Sequence, residues 1–238
     1  MTRVTTVFFD FGGTLVEPLR GADDMWRDVA RLVGLQIDPD SLVQAQREAD
    51  FRFRAELYDY HGRMREFWRL YDGFILERVG LASPSGSPAA AIEELGDRID
   101  RAFKRMLLSR PFPETRETLA ALRAKGLRLG IVSNATEDLV DRLAALGLAG
   151  NFDTVTYSQE ARAEKPDPAI FRLALQRAGC APTEAVHIGD RMDADVVGAR
   201  AAGITPILVD RHDRAREADC LRVSDLRELP VLLETALR

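Results

Sequence analysis

From residue 111 to the C-terminus the chain alternates between two rhythms. Short apolar runs rich in β-branched residues fall at 127–132 ("LRLGIV"), 153–157 ("DTVTY"), 185–188 ("AVHI") and 204–209 ("ITPILV"). Before, between and after them lie stretches with apolar residues at helical spacing. These are "PETRETLAALRAKG" closed by Gly126, "TEDLVDRLAALG" stopped at Gly147, "DPAIFRLALQRAG" with Pro168 in its first turn, "DADVVGARAAG" and "SDLRELPVLLETAL". Strands that alternate with helices predict an α/β fold, a mostly parallel, doubly wound sheet covered by helices on both faces. The N-terminal run Val4–Phe9 belongs to the same pattern. Residues 18–109 do not, because they read as helix alone. "DPDSLVQAQREADFRFRAEL" has Asp38 as N-cap candidate and Pro39 at the first helical position. "HGRMREFWRLYDGFILERVGL" has helical apolar spacing, and "SPAAAIEELGDRIDRAFKRML" opens with Ser87-Pro88 after the polar loop "ASPSGSP". The expected organisation is a sheet domain made of residues 1–17 and 110–238, with a helical insertion at 18–109.

Composition narrows the partners. A net charge of −5 provides no basic footprint for nucleic acid. No apolar run approaches the roughly 18 residues of a membrane span, and Asp10 interrupts the N-terminal one, so a secretory signal is not expected. Cys180 and Cys220 make neither a metal spacing nor a disulfide framework. His61, His187 and His212 are too scattered for a zinc site. A monomer or homodimer in the reducing cytoplasm is expected. The basic residues divide unevenly, 30 Arg against three Lys (Lys104, Lys125 and Lys165). A lysine kept in such a chain hints at a site that wants an ammonium rather than a guanidinium fork.

Ligands of open α/β sheets bind beyond the carboxyl ends of the strands, so the residues after each strand carry the functional reading. After 4–9 comes Asp10-Phe11-Gly12-Gly13-Thr14. After 127–132 comes Ser133-Asn134. Beside 153–157 lies "EKPDP" with Lys165, and after 185–188 come Gly189-Asp190, then Asp193 and Asp195. Carboxylates, a hydroxyl and a lysine at one sheet edge suit phosphoryl transfer to a carboxylate. The nucleophile can approach a phosphate only if their repulsion is offset, by a hard cation such as Mg²⁺ and by an ammonium. A hydroxyl and backbone N–H groups then hold the remaining oxygens. Each residue also has a plainer role. Asp10 and Asp190 could be N-caps, Ser133-Asn134 a loop before a helix, Lys165 a solvated loop lysine, and Asp193 a carboxylate favouring a helix N-terminus. His187 reads as a satisfied core histidine rather than a base. Phe67, Trp68 and Tyr71 read as the core of the helical block, and His61, Arg63 and Arg65 as a solvated helix start.

At "FFDFGGTLV", "IVSNAT", "EKPDPAIF" and "HIGDRMDADVVGARAAG" the chain resembles the haloacid dehalogenase superfamily of hydrolases. The resemblance runs over nearly its whole length. It implies a Rossmann-like core, and the insertion looks like a C1-type helical cap domain. It further implies that Asp10 is the nucleophile and a Mg²⁺ ligand, with Asp190 and the Gly12 carbonyl completing the metal set. Ser133, Asn134, Gly13 and Lys165 would bind a small phosphorylated substrate. Lys165 would also neutralise charge and steady Asp10, and Asp195 would support Lys165 and the metal's water shell. One departure stands out. The phosphatase branch carries a second Asp two residues after the nucleophile, as general acid and base, and here that place is Gly12. Losing such a group costs on the order of 10²–10⁴ in rate. Four readings follow. One is a phosphatase whose leaving group needs little protonation, or which borrows an acid such as Glu17. The second is a dehalogenase, which lacks this Asp but also lacks an acid at the place of Asp190. The third is a C–P hydrolase, which needs a cap lysine where the helical block has only Lys104. The last is a phospho-ligand binder with little turnover.

Overall fold

The computed structural model describes residues 3–19, 38–80 and 109–235, with residues 24, 27, 28, 31, 34, 96, 98 and 99 between them. Most of the expected helix opened by Ser87-Pro88, the loop before it and Lys104 lie outside the described residues, while residues 96, 98 and 99 within that span are helical. The chain divides into two compact units, Met1–Glu17 with Arg110–Arg238, and Pro18–Ser109.

The strands are β1 (Thr6–Phe9), β2 (Val16–Pro18), β3 (Ser109–Pro111), β4 (Arg128–Ser133), β5 (Thr154–Tyr157), β6 (Ala185–Gly189), β7 (Thr205–Val209) and β8 (Leu221–Val223). Six form one sheet in the order β5-β4-β1-β6-β7-β8, and every neighbouring pair in it is parallel. Its helices are α3 (Thr115–Ala124), α4 (Asp138–Ala145), α5 (Ser158–Ala161), α6 (Pro168–Ala178), α7 (Val197–Ala201) and α8 (Leu229–Thr235). β1 is buried throughout, because both faces of a parallel sheet are covered. Its period-2 alternation divides it between two cores. Val7 and Phe9 pack with Leu119 and Leu122 of α3 and Leu139 and Leu143 of α4. Phe8 packs with Ile170, Phe171 and Ala174 of α6 on the other face. From central β1 the sheet grows one way through β4 to β5, then resumes on the far side with β6, β7 and β8. That reversal opens a crevice at the carboxyl ends of the strands around β1.

Several element bounds differ from the sequence expectation. β4 extends one residue further, so Ser133 ends the strand rather than following it, and β6 takes in Gly189. The helix expected over "DADVVGARAAG" begins instead as a wide π-helical turn, Met192–Val196, before α7. The Val196 N–H reaches five residues back to the Arg191 carbonyl (3.2 Å). The Arg191 N–H meanwhile donates to the Asp195 side chain (3.0 Å). The three-residue β8, and the β2–β3 pair beside the junctions with the helical unit, carry too few residues for a periodicity to show.

In the second unit, α1 (Pro39–Phe53) is capped by Asp38, which accepts from the Ser41 N–H (2.8 Å). Together α1 and α2 (Met64–Arg78) bury Phe53, Phe67, Tyr71 and Ile75, with Trp68 packed against them. The Tyr71 hydroxyl donates to Asp50 (2.6 Å). These aromatics are core, as expected, and His61, Arg63 and Arg65 are exposed. No helix among the described residues is long and apolar enough to cross a membrane.

Candidate active site

Asp10 leaves the carboxyl end of β1, its N–H still donating to Ile188 of β6 (2.8 Å). Lys165 comes to it from the loop between α5 and α6. The Lys165 Nζ donates to Asp10 Oδ1 (2.7 Å) and to Asp195 Oδ1 (2.6 Å). This knot lies out of solvent, with Lys165 6%, Asp10 7% and Asp195 1% exposed. Asp190, half-buried at the end of β6, accepts from the Thr14 hydroxyl (3.3 Å). Carboxylate oxygens of Asp10, Asp190 and Asp195 all lie within 4.8 Å of one another. Three segments that are far apart in sequence thus converge on one edge.

The electrostatics are unbalanced. Burial works against the Lys165 ammonium, but the Asp10 and Asp195 charges outweigh it and hold the Lys165 pKa above its ordinary value. Burial works against the Asp195 carboxylate too. The hydrogen bond from His187 and the charge of Lys165 outweigh it, holding Asp195 well below the usual carboxylate range. Asp190 is pushed up to about 6, first by burial and then by the charges of Asp10 and Asp195. One ammonium does not offset three carboxylates, and a hard divalent cation with oxygen preference fits the remaining charge. The backbone fits as well. Gly13 has φ +80°, and a Cβ there would overlap the Asp190 carboxylate. Only glycine allows the main chain so close. Gly12 lies outside the left-handed region, and no described atom falls within 4 Å of where its Cβ would stand.

The remaining candidates divide. Ser133 is 5% exposed at the end of β4, in register with Tyr157 of β5. Asn134 was expected to face a substrate, yet its amide is engaged at both ends by the Lys165 main chain. Its Nδ2 donates to the Lys165 carbonyl (3.1 Å) and its Oδ1 accepts the Lys165 N–H (2.7 Å). Asp193 stands apart on the surface, paired with Arg191. His187 is fully buried on β6 and its Nε2 meets Asp195 Oδ1 at 2.9 Å. Among the described residues its Nδ1 has no partner. Burial lowers its pKa below the ordinary value, against the opposing hydrogen bond to Asp195. Two supports had not been singled out. One is the Thr14 hydroxyl. The other is Arg211, which donates to the Thr14 carbonyl (3.0 Å) and to buried Glu114 (2.6 Å) and stacks 3.6 Å above the Phe112 ring. Nothing distinguishes Arg211 in the sequence from the other arginines.

Comparison with known proteins gives three relatives to set beside this geometry. The chain is 34% identical to phosphoserine phosphatase of Thermus thermophilus, over 94% of this chain and 96% of that one. A 2-haloacid dehalogenase of Pseudomonas syringae superposes with TM-score 0.72 at 26% identity, covering 97% of this chain and 98% of the other. A phosphatase of Thermococcus onnurineus superposes with TM-score 0.61 at 27% identity, with the same coverage. The family model for haloacid dehalogenase-like hydrolases matches residues 4–203, a span that holds Asp10, Lys165, Asp190 and Asp195. The chain belongs to the haloacid dehalogenase-like hydrolases.

Proposed function

We propose that the protein is a Mg²⁺-dependent phosphatase acting on a small phosphorylated metabolite through an aspartyl-phosphate on Asp10. The observation that carries this reading is Asp190. A third carboxylate within 4.8 Å of Asp10 and Asp195, beside a single ammonium, would repel an anionic substrate unless a cation were held there. A dehalogenase working without metal has no use for it. The phosphatase names of the Thermus and Thermococcus relatives agree.

The metal would be held by the carboxylates of Asp10 and Asp190 and the Gly12 carbonyl, and when bound it would supply positive charge to the phosphoryl oxygens. The chain's own residues supply the rest. An Asp10 carboxylate oxygen bonds to phosphorus as the ester oxygen departs with the bonding electron pair. Lys165 aims Asp10 through its hydrogen bond to Oδ1 (2.7 Å), and its charge draws in the phosphoryl group. Ser133 binds a phosphoryl oxygen, Gly13, whose N–H is taken by the Val16 carbonyl (2.8 Å), lets the main chain close on Asp190, and Asn134 acts through Lys165 by holding its main chain. Water then cleaves the acyl-phosphate and returns the Asp10 carboxylate. Gly12 can move no proton, so the reading favours leaving groups that depart unprotonated, namely acyl, enol or aryl phosphates.

Hydrolysis of p-nitrophenyl phosphate tests the proposal, because nitrophenolate leaves without an acid. The expected result is nitrophenol release that requires Mg²⁺ and disappears in Asp10→Asn. Halide release from a 2-haloacid without metal would overturn it in favour of a dehalogenase. Tight binding of phosphate esters without turnover would overturn it in favour of a phospho-ligand binder.

A further inference from the structure

His187 is a polar residue where an apolar one would pack at lower cost. It occupies the middle of β6, level with Phe8 of β1 and Pro206 of β7. The edge of Phe171 meets its ring at 5.0 Å. Leaving its Nδ1 buried without a partner among the described residues forfeits that nitrogen's hydration with nothing in return. The compensating contact is on the other nitrogen. An ionised carboxylate only accepts, so the Nε2 that meets Asp195 Oδ1 at 2.9 Å carries the hydrogen. That is the oxygen which also receives the Lys165 ammonium (2.6 Å).

We propose that His187 is a positioning residue, whose neutral Nε2–H fixes the Asp195 carboxylate that in turn seats the Lys165 ammonium on Asp10. Asp195 is bracketed from two sides. The Arg191 N–H holds Oδ2 (3.0 Å) from the start of the turn before α7. His187 holds Oδ1 from β6, an interior strand of the sheet. Gly189 leaves room for this, since a Cβ there would overlap the Asp195 carboxylate. Without His187, Oδ1 keeps Lys165 as its only donor. The carboxylate can then turn about its Cβ–Cγ bond and take the ammonium with it. The donor must also be uncharged. A second cation on Oδ1 would compete with Lys165 for that oxygen, whereas a neutral N–H orients Asp195 and leaves its whole charge to Lys165.

The kinetic part of the test rests on the phosphatase reading, so a spectroscopic part stands beside it. The chain has three histidines and three lysines, so selectively labelled protein yields a few resolvable signals of each. In ¹⁵N-histidine spectra the Nε2–H tautomer is expected at His187, and the Nδ1–H tautomer would overturn the proposal. His187→Leu removes the donor, and His187→Gln returns an amide N–H at the place of Nε2. The ¹³Cε signal of Lys165 should move in His187→Leu and return toward the wild-type position in His187→Gln. On p-nitrophenyl phosphate, His187→Leu should lose roughly 10–100-fold in kcat with little change in KM, and His187→Gln should recover most of it. A folded Gln variant as impaired as Leu, or a Leu variant as active as wild type, overturns the proposal. If His187→Leu does not fold, the tautomer and the Gln variant decide. If wild type turns over no phosphate ester, the function proposed above fails separately, and the Lys165 signal decides this inference, with no shift counting against it.

Discussion

Two adjacent glycines in the first strand-end turn behave oppositely as residues. Gly12 has ordinary φ and open space around its Cβ position, whereas Gly13 is left-handed and pressed against Asp190. Gly12→Asp should therefore fold with little loss of stability. By restoring a proton donor it should raise turnover of alkyl phosphates by up to about 10²–10⁴, and that of p-nitrophenyl phosphate far less. Parallel steady-state assays on the two ester types check this, and no gain on either would show that the absent acid is not limiting. Gly13→Ala should lose more than about 1 kcal/mol in urea unfolding and bind Mg²⁺ poorly. Asp190→Asn removes a charge from the crowded cluster. Mg²⁺ at about 100 times its Kd should add about 2.7 kcal/mol to wild-type stability and much less to this variant, as thermal melts will show. A single residue could also be read from the sequence through its rarity. A chain that writes Arg 30 times and Lys three times keeps a lysine where one ammonium bridges two buried carboxylates. Lys165→Arg, too bulky and forked for that place, should reduce kcat by roughly 10²-fold. Arg211 shows the reverse, since its contacts with Thr14 and Glu114 join residues remote in sequence and leave no local trace.

Elements were legible where packing repeats and illegible where it does not. β1, β4, β6 and β7 are apolar runs because two helical layers cover them, and that demand appears directly as sequence. The ends of these elements carry the site, and there a one-residue difference matters. Ser133 belongs to β4 and is held by the strand's regular geometry. The turn Met192–Val196 reads as helix from its residues, yet its carbonyl at Arg191 accepts five residues on. The Asp195 side chain holds the N–H of that same residue. No periodicity reports a carboxylate that organises its own turn. Close approach between β6 and this turn gives a prediction at this scale. Gly189→Ala would place a methyl group against the Asp195 carboxylate, an overpacking that costs about 1–3 kcal/mol. Thermal unfolding should show it as a lowered Tm, and kcat should fall with it because Asp195 seats Lys165.

For the whole molecule, acid response and order of assembly follow from the sheet. Asp210, after β7, has its pKa pulled down to about 2 by the Ala215 and Arg214 N–H groups and then by Arg222. A depressed carboxyl stabilises fully above its unfolded value near 3.8 and loses that contribution as pH falls through 2. Urea midpoints of wild type and Asp210→Asn should therefore differ at neutral pH, by on the order of 1 kcal/mol because the pair is solvent-screened. They should converge between pH 4 and pH 2, the window those two pKa values define. Assembly has a timetable as well. β1 pairs with strands that begin at residues 128 and 185, so during synthesis the first strand to leave the ribosome waits longest for its neighbours. Pairings so distant close late, while the helical block, with its own core, is already complete in the emerging chain. A nascent chain that has emerged as far as about residue 180 can seat β1 against β4 and β4 against β5, but it lacks β6 and Asp195. Pulse proteolysis of chains arrested on either side of β6 should find resistance appearing only when that strand has emerged, so the last hydrogen bond of the buried Lys165 knot and the stability of the newborn sheet arrive in the same second of translation.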